Sequence, residues 1–384
     1  MRSVPAERGA AFDHLSGDRV DLVGLDRAGM VSLFQSIGEK RFRALQLLKW
    51  VHQRRVHDFH AMTDLAKPLR ARLAALCRVD LPRVEAEELS ADGTRKWLLR
   101  LADGNAVETV FIPEAKRGTL CVSSQAGCAM GCAFCATAAA TTAAAARVVR
   151  NLTTAEIAGQ IHIAVQRLPA AAVTNVVFMG MGEPLLNLNA VVTASRIFTD
   201  DDAFGLSKRR VTISTSGVVP ALERLRHLTD VSLAVSLHAP DNALRDRLVP
   251  LNRKYPLERL LPACHDYIRD KHPRRSTWEY VMLDGVNDSD DHARRLAKRL
   301  RDIPSKVNLI PFNPYPGAAF RCSPDSRIRR FADILAERGM TATVRASRGG
   351  DIGGACGQLV GRLQGEEDGS RCGGRKEGMA VAAR

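Results

Sequence analysis

Three cysteines at a CxxxCxxC spacing are the residues in this sequence whose chemistry is easiest to interpret. Cys128, Cys132 and Cys135 lie in a loop directly after a run of residues typical of a β-strand. Iron–sulfur clusters are held by cysteine thiolates, usually four. Three protein ligands leave one iron of a four-iron cube open, and the amino and carboxylate groups of S-adenosylmethionine could chelate that iron. A zinc site with a distant fourth ligand uses similar cysteines, so spacing alone leaves both interpretations open.

The elements around this loop follow one rhythm, in which short β-branched or apolar runs alternate with helical patterns. The predicted strands are 119–123, 175–179, 210–214, 231–237, 278–282 and 306–310. The helices predicted among them are 154–166, 191–198, 220–226, 257–269 and 291–301. Strands that alternate with helices form parallel sheets. We therefore predict an α/β fold with a full or partial (βα)6 barrel, whose working residues lie in the loops after the strands.

The remainder of the chain divides by composition. Residues 22–88 carry apolar side chains at helical spacing, as at Leu45, Leu48 and Val51, and are predicted to form a small helical accessory domain. An Asp-Gly turn at Asp103 joins two alternating runs that predict a hairpin. The other assignments are an N-terminal arm (1–21), a β-rich linker (89–113), the barrel core (114–349), a cysteine-bearing segment (350–363) and a disordered tail (364–384).

Charge and cysteine usage restrict the class of protein. Lys and Arg number 56 against 42 Asp and Glu, a net charge of +14 that is typical of proteins with a polyanionic partner. No apolar run is long enough to span a membrane, and the N-terminus lacks the hydrophobic stretch of a signal peptide. We therefore expect a cytoplasmic protein without a membrane partner. Nine cysteines, an odd number at uneven spacing, favour metal or catalytic thiols over a disulfide framework.

Longer motifs connect the chain to a known family. From about residue 22 to residue 359 the sequence resembles the dual-specificity rRNA and tRNA adenine-C2 methyltransferases of the radical-SAM superfamily. The segments that carry the resemblance are GTLCVSSQ at 118–125, TNVVFMGMGEPLLN at 174–187, SKRRVTISTSGVVP at 207–220, SLHAP at 236–240 and ACGQL at 355–359. The resemblance implies that the predicted barrel is the partial (βα)6 radical-SAM barrel, with the helical domain as an N-terminal accessory module.

The resemblance also implies roles for individual residues. It makes Cys128, Cys132 and Cys135 the ligands of one [4Fe-4S] cluster. The residues it assigns to S-adenosylmethionine, of which two molecules are used per turnover, are Gly182, Glu183, Ser214, Ser236, Leu237, His238 and Asn313. The remaining assignments are catalytic: Cys356 as the methyl acceptor, Cys121 as its resolving partner and Glu108 as a base.

The implied chemistry avoids an attack by carbon 2 of adenine, which is electron-poor. The Cys356 thiolate first takes a methyl group from one S-adenosylmethionine. Reductive cleavage of a second molecule yields a radical that takes a hydrogen atom from the S-methyl group, and the resulting carbon radical adds to carbon 2. Release of the covalent adduct requires loss of the C2 proton, with Glu108 as base, and attack of Cys121 on Cys356.

The partners implied are 23S rRNA, at the peptidyl-transferase centre, and certain tRNAs, at the adenosine beside the anticodon. The base must be unpaired or flipped out to be reached. An external electron donor such as flavodoxin or ferredoxin is also implied, and we expect a monomer. We take the helical domain as an RNA-docking module on the charge of Lys40, Arg41, Arg43, Arg54 and Arg55. Two alternatives are an adenine-C8 methyltransferase of the same superfamily and an RNA-binding protein with a structural metal site.

Two segments depart from the family pattern. The family reads Arg-Gly-Asp-Asp-Ile-Asp-Ala-Ala-Cys before the methyl-carrying cysteine, whereas 348–356 reads RGGDIGGAC here and loses two acidic residues. The segment 136–150 is longer than usual and rich in alanine.

Overall fold

A ten-stranded sheet is the frame of the computed structural model, which describes residues 19–143, 150–269, 271 and 276–361. In chain order the strands of the described residues are β1 Val20–Asp21, β2 Cys77–Arg78, β3 Arg83–Leu89, β4 Arg95–Arg100, β5 Ala106–Glu114, β6 Arg117–Cys121, β7 Gln125–Ala126, β8 Arg150–Asn151, β9 Asn175–Phe178, β10 Val211–Thr215, β11 Ser232–Ser236, β12 Ser276–Met282, β13 Ser305–Pro311 and β14 Thr341–Val344. The order in the large sheet is β14-β13-β12-β11-β10-β9-β6-β5-β4-β3. Strands β6 and β9 to β14 are parallel and form the partial barrel. The predicted α/β barrel is confirmed, with β14 as a further strand that the sequence analysis did not identify.

Helices connect the parallel strands and bury one apolar face each. The helices in the described part of the chain are α1 Arg27–Ser36, α2 Arg41–Leu48, α3 Lys67–Leu76, α4 Ala136–Ala143, α5 Thr154–Arg167, α6 Leu188–Thr199, α7 Val219–Leu228, α8 Asn242–Leu248, α9 Leu257–Arg269, α10 Asp290–Leu300 and α11 Asp325–Glu337. A capping box starts α5: Glu156 N donates to Thr153 Oγ1 at 3.1 Å, and Thr153 N donates to the Glu156 carboxylate at 2.8 Å. This cap fixes where the chain leaves the cysteine loop.

The N-terminal helices form a small unit that is shorter than the sequence analysis predicted. Its last helix, α3, ends at Leu76, and the short parallel pair β1 and β2 closes it. The boundary at residue 88 was wrong, because Arg83–Leu89 alternates between exposed and half-buried side chains and pairs with β4. A period of two is the pattern of a strand.

The segment assigned to a linker is part of the sheet. Strands β4 and β5 pair antiparallel across the turn at Asp103, and β5 pairs antiparallel with β6, the first strand of the barrel. The predicted turn is confirmed, and Gly104 adopts a φ of +86°, in the left-handed region. Because β3 to β5 continue the barrel sheet without a break, residues 89–113 extend the barrel and do not separate two domains.

Charged side chains join the helical unit to the barrel. Arg27 donates to Asp200 and Asp202, at 2.8 Å from Nε and from Nη2 respectively, and Lys49 Nζ lies 3.1 Å from Asp202. The tail at 364–384 and most of the predicted arm lie outside the described residues. Within residues 19–143, 150–269 and 276–361, no helix is both long and apolar enough to cross a lipid bilayer.

Candidate active site

A cavity of about 140 Å³ lies where the C-terminal ends of the parallel strands meet. Its wall contains residues that end or follow β9 to β13, as a barrel active site requires. Ten of the thirteen candidate residues line it: Cys128, Cys132, Cys135, Gly182, Glu183, Ser214, Ser236, His238, Asn313 and Cys356. The other three, Glu108, Cys121 and Leu237, do not line this cavity.

A short hairpin closes the loop that carries the three cysteines. Strands β7 and β8 pair antiparallel at the base of this loop. Ala133 N donates to Leu248 O at 3.0 Å, so the tip of the loop rests on the end of α8. The loop is therefore held both at its base and at its tip.

The three thiols lie close enough for their charges to interact. Burial raises the pKa of the Cys128 thiol to about 12, and the nearby charge of Cys135 also raises it. Burial, followed by the charges of Cys135 and Cys128, raises the pKa of Cys132 well above its usual range. Such thiols are protonated at neutral pH, and they release protons when they bind a metal.

The donor set fits an iron–sulfur cluster. Three thiols line one cavity whose wall also contains the polar side chains of Glu183 and Ser214. Among the residues that the structure describes, no three His, Cys, Asp or Glu side chains are placed to hold a single metal ion. In a four-iron cube each thiolate binds a different iron, so its ligands do not have to meet at one point.

The Gly182–Glu183 turn positions a carboxylate in the cavity wall. Gly182 has a φ of +99°, and a Cβ at this position would lie 2.5 Å from Cβ of Gln125. Glu183 accepts from Ser216 N and Oγ, both at 2.7 Å, and from Leu185 N at 3.0 Å. Burial nevertheless raises the pKa of Glu183. The turn therefore requires glycine, and the carboxylate is fixed by three hydrogen bonds.

His238 is held in an unusual backbone conformation at the end of β11. Its φ is +59°, which is rare for a non-glycine residue. Its Nδ1 accepts from Val281 N at 3.0 Å, so the ring proton of the neutral imidazole is on Nε2. Burial lowers the pKa of His238 to about 3, and Phe134 packs edge-on at 4.4 Å. The buried amide of Asn287, which the sequence analysis missed, donates to His238 O at 2.9 Å.

Cys356 lies in a segment that is anchored to the barrel by side chains on both sides. Asn313 donates to Cys356 O at 3.1 Å and accepts from Ser347 Oγ at 2.7 Å. Asp351 accepts from Ser90 Oγ at 2.6 Å, which joins the segment to the β3–β4 turn. Gly350 and Gly353, the two positions at which the family pattern has aspartate, flank Asp351. Gly353 has a φ of +60°, which glycine adopts readily.

Glu108 is a buried anchor of the same segment. Its carboxylate, 1% exposed, accepts from Val360 N at 2.6 Å and from Gly361 N at 2.8 Å. Lys96, also buried, lies 3.2 Å from the other carboxylate oxygen and 2.7 Å from Glu88. Glu108 therefore ties β5 to the chain just beyond Cys356.

An arginine that the sequence analysis missed, Arg345, interacts electrostatically with both catalytic cysteine candidates. Burial raises the pKa of Cys121 to about 12, and the charge of Cys356 also raises it, so the two sulfurs are within electrostatic reach. Cys356 is exposed at the edge of the cavity, yet the protein atoms around its thiol desolvate it enough to raise its pKa, whereas the charge of Arg345 lowers it. Arg345 and Cys356 line one small cavity. Because β14 was not predicted, no pattern in the sequence marked Arg345.

Glu279 is a second missed residue. It lies on β12, is 4% exposed, lines the central cavity and accepts from Asn308 at 2.7 Å. Burial raises its pKa and the charge of Arg345 lowers it. One feature of the sequence could have identified Glu279: it is a charged residue between two aromatic residues, Trp278 and Tyr280, in a predicted strand. Leu237 is buried in the core and contributes backbone contacts instead, since its N donates to Glu279 O at 3.0 Å.

The basic residues of the helical unit are only partly free. Arg43 donates to Asp64 O at 2.9 Å, and Arg54 lies 3.5 Å from the Asp64 carboxylate and over the Trp50 ring. The other three residues form no ion pair within the described part of the chain and are exposed, as is Phe42: Lys40, Arg41 and Arg55.

Two families match the chain. The ribosomal RNA large subunit methyltransferase N-terminal domain matches residues 20–79, and the radical SAM superfamily matches residues 122–297. A solved structure titled as a radical SAM methyltransferase from Sphaerobacter thermophilus has 44% identity and a TM-score of 0.81. It covers 89% of this chain and 100% of its own.

Two relatives are similar over most of their length. The dual-specificity RNA methyltransferase RlmN of Halorhodospira halophila is 66% identical over 336 residues, which is 88% of this chain and 92% of the relative. The protein of the same name from Alkalilimnicola ehrlichii is 65% identical over 338 residues, with the same coverage.

Proposed function

The chain belongs to the RlmN family of dual-specificity RNA methyltransferases, and on that premise we propose that it methylates carbon 2 of adenosine in 23S rRNA and in certain tRNAs. The observation that carries the proposal is the convergence of ten candidate residues, from four strand ends, the cysteine loop and the Cys356 segment, on one cavity. Such convergence is what a site for a cluster, a cofactor and a carrier thiol requires.

Cys128, Cys132 and Cys135 would hold one [4Fe-4S] cluster, and Glu183 would contact the amino group of S-adenosylmethionine. When bound and reduced, the cluster supplies the electron that splits S-adenosylmethionine and so yields the radical that removes a hydrogen atom from S-methylated Cys356. The glycine turn, His238 and Ser214 orient the cofactor and exclude water from the cavity.

Cys356 acts first as a nucleophile. Its thiolate takes a methyl group by displacement from S-adenosylmethionine, and Arg345 favours the charged form of the thiol. After addition of the carbon radical to C2, Glu108, whose carboxylate lies 3.2 Å from Lys96 Nζ, takes the C2 proton. The Cys121 thiolate then attacks the Cys356 sulfur, which forms a disulfide and breaks the bond from that sulfur to the transferred carbon. The released carbon takes up a proton to become the methyl group on C2, and the surplus electron of the adduct would pass to the oxidised cluster.

Anaerobic reconstitution tests the proposed function. We expect about four irons per chain, formation of 5′-deoxyadenosine with reductant, and 2-methyladenosine in nuclease digests of treated RNA, identified by mass spectrometry. Formation of 8-methyladenosine would assign the C8 activity instead. Tight zinc binding without cofactor cleavage would identify an RNA-binding protein with a structural metal and would overturn the proposal.

A cysteine substitution tests the release step. Cys121→Ala should accumulate RNA joined covalently to Cys356, because the sulfur that resolves the adduct is missing. Cys264→Ala is the matched control, since Cys264 is buried and does not line the central cavity. No adduct from a cluster-loaded Cys121→Ala protein that still cleaves S-adenosylmethionine would contradict the mechanism.

We propose that the exposed basic surface of the helical unit docks RNA. Reversal of Lys40, Arg41 and Arg55 to glutamate should weaken RNA binding and lower its dependence on salt, because each phosphate contact releases counterions. Reversal of three other exposed cations, Arg224 on α7, Lys298 on α10 and Arg329 on α11, controls for total charge. Unchanged RNA affinity in the first variant would remove the docking role.

We propose that the electron donor is an acidic one-electron carrier of the flavodoxin or ferredoxin kind, and that the protein acts as a monomer. The cysteine loop rests on Leu248, and three exposed cations lie close to this residue in the chain: Arg247, Arg253 and Lys254. They form no ion pair within the described residues. Reversing them should slow reduction by such a carrier but not by dithionite. If the variant loses RNA affinity while reduction by the carrier is unchanged, this surface binds RNA instead. Analytical sedimentation measures the oligomeric state and so tests whether the protein is a monomer.

A further inference from the structure

A buried arginine without a carboxylate partner lies beside the cysteine loop. Arg245, on α8, is 1% exposed. Its guanidinium donates four hydrogen bonds, and every acceptor is a neutral oxygen: Leu237 O at 3.1 Å, Asn252 Oδ1 at 2.8 Å, Ser216 O at 2.7 Å and Ser236 O at 3.0 Å. Burial lowers the pKa of Arg245 to about 10, so the side chain remains charged at neutral pH.

A buried charge costs several kcal/mol unless an opposite charge compensates it. The groups whose negative charge favours the Arg245 cation are Cys132, Cys264 and Asp246, with Cys132 the strongest. Within the described residues none of the three forms an ion pair or hydrogen bond with the guanidinium, and Asp246 directs a carboxylate oxygen to Asn252, whose Nδ2 lies 2.6 Å away. The cysteine loop rests on the same helix, through the hydrogen bond from Ala133 N to Leu248 O. An anionic group held by that loop would therefore be the counter-charge of Arg245.

The same guanidinium also supports the loops that form the cavity. Ser216 O follows β10, and Ser236 O and Leu237 O are at the end of β11, so three of its four acceptors are backbone atoms of strand-end loops. Ser216 in turn holds the Glu183 carboxylate. Because α8 also contacts the cysteine loop through Leu248, one helix joins the cofactor loops to the cluster loop.

We propose that Arg245 is the buried counter-charge of the iron–sulfur cluster and raises its reduction potential, an inference that rests on the proposed function. A four-iron cube with three thiolates becomes more negative by one charge when it accepts an electron from the low-potential donor. A fixed cation nearby stabilises the reduced form more than the oxidised form. Arg245 is a positioning residue in this proposal, since its own contacts are to the protein.

The test is the midpoint potential of the reconstituted protein, followed by electron paramagnetic resonance during titration with dithionite. Arg245→Gln should lower the equilibrium constant for one-electron reduction at least tenfold, or about 59 mV. Arg245→Lys keeps the charge and should stay within about threefold of wild type by the same relation. Arg224→Gln removes an exposed cation from α7 and should also leave the potential within about threefold of wild type.

A second variant covers the case in which Arg245→Gln does not fold. Asn252→Asp combined with Asp246→Asn keeps the net charge and exchanges an amide with a carboxylate across the 2.6 Å contact. It places a negative charge against Arg245 Nη1 and should also lower the potential. An unchanged potential in either variant, or equal shifts in Arg245→Gln and Arg245→Lys, would overturn the proposal. A wild-type protein that binds no cluster would overturn the proposed function itself, so the two failures are distinguishable.

Discussion

Substitution of Glu183 by glutamine should separate cofactor binding from stability. The carboxylate is 3% exposed and accepts three hydrogen bonds, two from Ser216 and one from Leu185. In Glu183→Gln the amide oxygen can still accept from Ser216, but the amide nitrogen then faces Leu185 N and leaves that donor without an acceptor. An unsatisfied buried donor costs about 1–3 kcal/mol. Removal of a buried charge offsets part of that cost, because burial raises the pKa of Glu183.

The effect on cofactor binding should be larger and in one direction. A hydrogen bond between charged groups contributes about 1.5–3 kcal/mol, so loss of the carboxylate facing the amino group of S-adenosylmethionine should weaken its binding about 10- to 150-fold. Equilibrium dialysis of the cluster-loaded protein measures the affinity, and thermal unfolding of the iron-free protein measures stability. Glu87→Gln, at an exposed ion pair with Arg95, is the matched control. An unchanged affinity in Glu183→Gln with a cluster in place would refute this reasoning.

Three further substitutions test other contacts. Arg345→Met should raise the pKa of Cys356 further, so methylation of Cys356, followed by mass spectrometry of its peptide, should slow at neutral pH and recover as pH rises. Arg345→Lys should keep the wild-type profile, and identical profiles in both variants would contradict the electrostatic role. Gly182→Ala should abolish cofactor binding, because its Cβ would lie 2.5 Å from Gln125 Cβ. Gly104 has a similar φ, and a Cβ there would meet no atom within 4 Å, so Gly104→Ala controls for backbone strain. Equal losses of cofactor binding in the two variants would show that the contact with Gln125 is not the cause. Lys96→Met should lower the free energy of unfolding by about 3–5 kcal/mol, since Glu108 would be left buried without its cation. Chemical denaturation measures the free energy of unfolding. Addition of Glu108→Gln to the Lys96→Met variant should restore part of the lost stability. As a control, Arg95→Met, at an exposed ion pair, should lower the free energy of unfolding by less than about 1 kcal/mol.

The repeating strand–helix pattern was sufficient to predict the barrel. The apolar runs at 175–179 and 306–310 correspond to β9 and β13, and the order of parallel strands follows the order of the chain. Strand β14 was missed because three of its four side chains are exposed and the fourth is half-buried, so it lacks the apolar run of a central strand. The residues 83–88 were misassigned because the helical pattern before them has no sharp stop signal.

The sequence alone determined those parts of the site whose members are neighbours in the chain. Cys128, Cys132 and Cys135 share one loop, and Gly182 and Glu183 share one turn, so local spacing encodes their chemistry. Parallel strands then bring such loops to one edge without further information.

Tertiary structure decided which charges support that chemistry. Glu108 bonds to a backbone 252 residues away, Arg345 reaches Cys121 across the sheet, and Arg245 lies among carbonyls from two other loops. A charged residue in a sequence is most often solvated, and its type does not say whether it will be buried. Burial and distant partners give these charges their strength, because a low local dielectric amplifies them, and both arise only when the chain has folded.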